Sequence, residues 1–111
     1  MTEVSPQEAQ GLAAGAGGAF LLDVREAEEV AAGHAPGSVH VALATLVDNI
    51  ASLPRDRRIV CICRSGARSG RAAQILAKQG FDAVNMSGGM NAWAAAGLDV
   101  EAADGTPGRV I

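Results

Sequence analysis

The stretch "RIVCICRSGARSGRAAQILAKQG" occupies residues 58–80. It opens on a continuous apolar run, Ile59-Val60-Cys61-Ile62, of the kind that forms a strand buried on both faces. From Arg68 to Gln79 the period changes: Ala72, Ile75, Leu76 and Gln79 share one face of a helix, and Gly80 stops it. Between strand and helix stand a thiol, Cys63, and the short loop Arg64-Ser65-Gly66-Ala67. Strand, small-residue loop and helix form the repeating step of an α/β fold.

The same alternation continues on either side of this stretch. Ser5-Pro6-Gln7-Glu8 is a helix start, with Ser as N-cap, Pro at the first helical position and Glu closing a capping box. That helix fades at Gly15-Ala16-Gly17-Gly18. Ala19 to Val24 reads as a buried strand, and Glu26 to Ala32 as a helix stopped by Gly33. A brief strand is expected at Val39 to Val41. Leu43, Leu46, Val47 and Ile50 fall at helical spacing, so a helix is expected there. Ala83 to Met86 reads as a further strand, and Met90 to Ala96 as a last helix. The residues from Ala102 to Ile111, rich in Gly, Pro and Asp, are expected to form a mobile tail beyond a domain spanning 1–101. Short apolar strands alternating with helices predict a parallel sheet covered on both faces. Ligands of such folds sit beyond the carboxyl ends of the strands, where Asp23, Cys63 and Ser87 are placed.

Composition narrows the function classes. The 111 residues suffice for one core, and 49% of them are hydrophobic. Ala contributes 23 residues against one Trp, two Phe and no Tyr, so close backbone approach rather than aromatic plugs is expected to build the core. A net charge of −3 and a pI near 5.2 supply no basic field for nucleic acid or anionic lipid. The longest apolar run falls short of the roughly 18–20 residues that span a bilayer. The N-terminus lacks a basic residue followed by an apolar run, so no secretory signal is read. Cys61 and Cys63, two residues apart on one side of an extended segment, are poorly placed to bridge. A reduced, cytoplasmic protein is expected.

The thiol's surroundings carry the chemistry. A free cysteine has a pKa of about 8.5, yet only the thiolate is nucleophilic. Successive N–H groups of the loop from Arg64 to Ser69 can curl around one anion, with Gly66 easing the curl. The positive end of the following helix points at the same spot, and Arg64 and Arg68 add full charge. The pattern predicts an anion cradle with a reactive sulfur at its centre.

Four segments, "DVRE" (23–26), "GHAPGSVHVAL" (33–43), "CRSGARS" (63–69) and "GFDAVNMSGGMNAW" (80–93), resemble in order and spacing the motifs of rhodanese domains, the sulfurtransferases. The resemblance runs over about residues 5–98. It implies a five-stranded parallel sheet flanked by helices on both faces. It implies that Cys63 accepts a sulfane sulfur from an anionic donor such as thiosulfate, carries it as a persulfide, and passes it to a thiophilic acceptor such as cyanide or a thiol. No metal or organic cofactor is implied. Arg64, Ser65, Gly66, Ala67, Arg68 and Ser69 would bind the donor, with Asp23 and Arg25 in support; a protein donor or acceptor also fits the resemblance.

Two rival functions stay open at this point. One is a persulfide carrier or interaction domain that acts only with a partner. The other is a Cys-based phosphatase or arsenate reductase, whose loops are longer; here only four residues separate Cys63 from Arg68. The remaining residues have structural readings. Cys61 belongs in the core, His34 fixes a loop, and His40 and Trp93 serve packing. Asp23 is expected to pair with a site arginine or to cap the turn after it. Gly88-Gly89 serves a turn and helix start, and Glu26, Glu28 and Glu29 merely suit a helix's first turn.

Overall fold

Strand β4 (Ile59–Ile62), the apolar run before Cys63, lies at the middle of the sheet. The computed structural model describes residues 3–15 and 17–111. Met1, Thr2 and Ala16, which entered the readings of a signal and of the first helix's end, lie outside them. The other strands are β1 (Glu3–Val4), β2 (Phe20–Asp23), β3 (Val39–His40) and β5 (Ala83–Met86). Their order is β1-β5-β4-β2-β3, and every neighbouring pair is parallel. The helices are α1 (Pro6–Ala13), α2 (Ala27–Ala32), α3 (Ala67–Lys78) and α4 (Gly89–Ala95).

Strand alternation divides the core in two. Val60 and Ile62 join Leu21, Val84 and Met86 under Ala9 of α1 and Met90 and Trp93 of α4. Ile59, Cys61 and Leu22 face the opposite way, under Ala72, Ala73 and Leu76 of α3. The alanines of α1 and α3 at these contacts are wholly buried, which lets helix and sheet backbones lie close, as the Ala-rich composition predicts. Helices therefore cover both faces of a five-stranded parallel α/β sheet. At α1 the capping box is formed: Ser5 Oγ accepts from Glu8 N at 3.1 Å, and Glu8 Oε1 from Ser5 N at 2.9 Å.

One expectation is corrected. Residues 43–52 do not form one α-helix but two 3₁₀ segments, Leu43–Thr45 and Val47–Ser52. Three residues per turn leave Leu46 buried but turn Val47 outward, 66% exposed. Thr45, Asn49 and Ser52 each donate from the side chain to a backbone carbonyl three or four residues back, which competes with α-helical pairing. The segment 102–111 makes backbone hydrogen bonds to the rest of the chain. Ala103 N donates to Ala31 O at 3.0 Å, Gly108 N to Val100 O at 2.8 Å and Arg109 N to Ala32 O at 2.9 Å. Its Gly, Pro and Asp residues make tight turns, as where Asp104 Oδ1 accepts from Thr106 N and Oγ1. Val110 packs against the core face that holds Trp93.

Candidate active site

Cys63 follows β4 directly and is 1% exposed, so its sulfur lies at the floor of the loop rather than on its rim. The chain turns at Gly66, whose φ of +106° favours glycine and sets the N-cap of α3. This turn brings Gly66 N to 3.0 Å from Cys63 Sγ. Ser69, wholly buried in the first turn of α3, places Oγ 3.3 Å from the same sulfur. Burial pushes the Cys63 thiol up. Hydrogen bonds from the Ser69 hydroxyl and from the N–H groups of Ser69, Gly66 and Ser65 outweigh it, leaving the thiol below its ordinary value. Cys61, buried in the strand without such donors, is pushed up to about 12 by burial and by Cys63 beside it. The two cysteines are unbridged thiols of opposite character.

The loop is fixed from behind by α4. Met90 N donates to Cys63 O at 2.8 Å and Asn91 N to Arg64 O at 3.0 Å. Gly89, at φ +57°, permits this approach: a Cβ there would run into Cys63 O and the Arg64 carbonyl. Asn85 on β5 supports the other side, donating from Nδ2 to Gly66 O at 3.0 Å and to Glu3 Oε2 at 2.9 Å. Its Oδ1 lies 2.5 Å from Ser69 Oγ.

The loop arginines are not free charges over the sulfur. Arg68 donates Nη1 and Nη2 to the two carboxylate oxygens of Glu29 on α2, at 2.7 and 2.9 Å. This bond holds Glu29 down at about 2 and raises Arg68 further. Arg64 is exposed and donates Nε to Ile111 O at 2.9 Å. Ser65 and Ala67 are exposed at the loop's crest.

The supporting pair lies deeper. Asp23 and Arg25 are 1% and 0% exposed and meet through Arg25 Nη2 and Asp23 Oδ2 at 2.7 Å. Arg25 N also donates to Asp23 Oδ1, and Arg25 Nη2 to Gly33 O at 2.7 Å. Asp23 thus caps its own turn and pairs with Arg25 rather than with a loop arginine. Ser87 does not join the site; its Oγ donates to Val4 O. His34, His40 and Trp93 hold backbone carbonyls: Val30 O at 3.0 Å, Arg25 O at 2.6 Å and Asp99 O at 2.8 Å respectively.

Two site residues escaped the reading of the sequence. Asn85 is a polar residue inside a buried strand, a signal that it needs partners. Glu29 suits a helix's first turn by sequence, yet it engages Arg68 across 39 residues of chain.

Comparison with known proteins gives the family. The family model described as Rhodanese-like domain matches residues 5–96. The Bacillus subtilis protein YtwF is 46% identical over 74 residues, 67% of this chain and 72% of that one. Thiosulfate sulfurtransferase GlpE of Pseudomonas savastanoi pv. phaseolicola is 38% identical over 99 residues, 86% of this chain and 92% of that one. The crystal structure of a rhodanese-like domain protein from Staphylococcus aureus matches with a TM-score of 0.78 at 31% identity, covering 84% of this chain and 91% of that chain. With these matches and this loop, the chain belongs to the rhodanese-like domain family.

Proposed function

We propose that this rhodanese-family protein is a sulfurtransferase that moves a sulfane sulfur through a persulfide on Cys63, with thiosulfate as one competent donor. The Cys63 thiolate attacks the outer sulfur of thiosulfate; the new S–S bond forms as the old one breaks, and sulfite leaves with the electron pair. The persulfide's outer sulfur is then taken by cyanide or a thiol, which regenerates the thiolate. Relatives named sulfurtransferases support the reaction class.

The observation that carries the reading is the convergence of Gly66 N and Ser69 Oγ on Cys63 Sγ, with the thiol below its ordinary value. Depth adds selectivity. With Cys63 only 1% exposed, a donor reaches it best with a single terminal atom, which a sulfane sulfur is and a tetrahedral phosphoryl group is not. Two unbridged thiols also suit a reducing, cytoplasmic compartment, and no helix among the described residues is long and apolar enough to cross a membrane. The test is steady-state kinetics with thiosulfate and cyanide varied together. Parallel double-reciprocal lines and no turnover in Cys63→Ser are expected; intersecting lines, or turnover surviving in Cys63→Ser, would remove the covalent carrier.

A further inference from the structure

Arg68 is the charged side chain that the loop's end presents beside Cys63, and its charge is already answered. Both of its terminal nitrogens are spent on the two oxygens of Glu29, at 2.7 and 2.9 Å. Glu29 has little freedom to yield. Its side chain is 15% exposed, it belongs to α2, and its Oε1 also accepts from Glu26 N at 3.0 Å. Arg64 is likewise engaged, on Ile111 O. A dianion arriving over Cys63 therefore meets N–H dipoles and the Arg68–Glu29 ion pair rather than an uncompensated Arg68 guanidinium. A carboxylate fixed behind that guanidinium repels a dianion twice as strongly as a monoanion.

We propose that Glu29 is a specificity-determining residue, which by neutralising Arg68 steers the Cys63 loop away from small dianionic donors and toward alkyl persulfides. This rests on the sulfurtransferase reading of Cys63 and names the donor class within it. With an alkyl persulfide, the Cys63 thiolate attacks the outer sulfur of R–S–SH. The Cys63 S–S bond forms, the donor's S–S bond breaks, and R–S⁻ leaves with the electron pair, while the proton stays on the transferred sulfur. No external oxidant or reductant enters. The donor needs no cation in addition to the loop's neutral N–H donors, because it carries no second anionic group.

The experiment compares wild type, Glu29→Gln and Glu29→Asp on two donors at one ionic strength: thiosulfate, and the persulfide of 2-mercaptoethanol. Glu29→Gln frees the charge of Arg68, so kcat/KM for thiosulfate should rise about 3- to 10-fold, chiefly through KM, relative to the persulfide. Glu29→Asp keeps the charge and should leave the ratio of the two donors within about twofold of wild type. A fall or no change in that ratio for Glu29→Gln would mean that the carboxylate only positions Arg68, and would overturn the proposal; so would an equal rise in Glu29→Asp. The wild type gives a check that needs no variant to fold. Its kcat/KM for thiosulfate should be flat or rise with added salt, whereas a steep fall would reveal an uncompensated positive site. Mass spectrometry of the same wild-type samples separates the two levels. Cys63 persulfide with an unmoved ratio sinks only the selectivity, and no persulfide from either donor sinks the sulfurtransferase reading as well.

Discussion

Ser69 Oγ lies 2.5 Å from Asn85 Oδ1, nearer than the 3.3 Å that separates it from Cys63 Sγ. The Asn85 amide is oriented by its Nδ2, which donates to Gly66 O and Glu3 Oε2, so Oδ1 faces Ser69 as an acceptor. Ser69 has one hydroxyl proton for two acceptors. With Cys63 as a thiol, S–H can donate to Ser69 and Ser69 to Asn85. With Cys63 as a thiolate, the proton is drawn to sulfur, because a charged acceptor makes the stronger bond.

Removing that hydroxyl should therefore act on Cys63 first. In Ser69→Ala the thiol titrates at a higher pH, and its alkylation by iodoacetamide at pH 7 slows about 3- to 10-fold, a change of about 0.7–1.4 kcal/mol. Buried Asn85 Oδ1 loses its donor, which costs a further 1–3 kcal/mol or so of stability. A pH–alkylation profile that overlays the wild type would show that Ser69 does not tune the sulfur.

The two cysteines predict opposite limbs of the stability curve. Cys61 is raised by burial, so above the ordinary thiol value the unfolded chain releases a proton that the folded chain keeps. Stability should fall there by up to about 1.4 kcal/mol per pH unit until about pH 12 is reached. Cys63 is lowered, so its contribution is present above the ordinary value and is lost as pH falls through its own titration. Urea unfolding of Cys61→Ala should be less stable throughout but lack the alkaline limb. An alkaline limb of unchanged steepness would assign it to other groups.

Two glycines of the site should respond differently to alanine. At Gly66 a Cβ has room, its nearest neighbour being Gly88 N at 3.4 Å, so the cost is that of a positive φ, about 1–2 kcal/mol. At Gly89 a Cβ collides with backbone of Cys63 and Arg64, which must shift. Gly89→Ala should destabilise more and displace the loop, seen as a larger loss of kcat per folded molecule than in Gly66→Ala. The reverse order would show that α4 does not hold the loop.

The strand, loop and helix from Ile59 to Lys78 were legible because each is locally encoded: an apolar run, a glycine turn and a helical period. So were the capping box at Ser5 and the parallel character of the sheet. What stayed hidden depends on partners distant in the chain. β1 is two residues long and exists by pairing Glu3 and Val4 with Asn85 and Met86. The same distance hid Glu29 from Arg68 and the segment 102–111 from its seat at Ala31 and Ala32. At Leu43–Ser52 the apolar positions fitted two periods, and hydroxyl and amide side chains tipped the balance to the tighter one.

Asp23 and Arg25 should act through the fold. Both are buried, and among the described residues Arg25 Nη1 has no hydrogen-bond partner, so the pair has little reserve. Arg25→Ala strands a buried carboxylate and should cost about 3–5 kcal/mol in denaturant unfolding. The fraction that remains folded should keep the wild-type Cys63 alkylation profile. A normal midpoint with an altered profile would place Arg25 in the chemistry instead.

Cys63, and not Cys61, is the proposed sulfur carrier. Peptide mass spectrometry after incubation with thiosulfate tests it most directly. A gain of one sulfur is expected on Cys63, removed by cyanide, absent from Cys63→Ser and retained in Cys61→Ala. Sulfur found on Cys61, or no persulfide together with hydrolysis of an aryl phosphate that depends on Cys63, would contradict it.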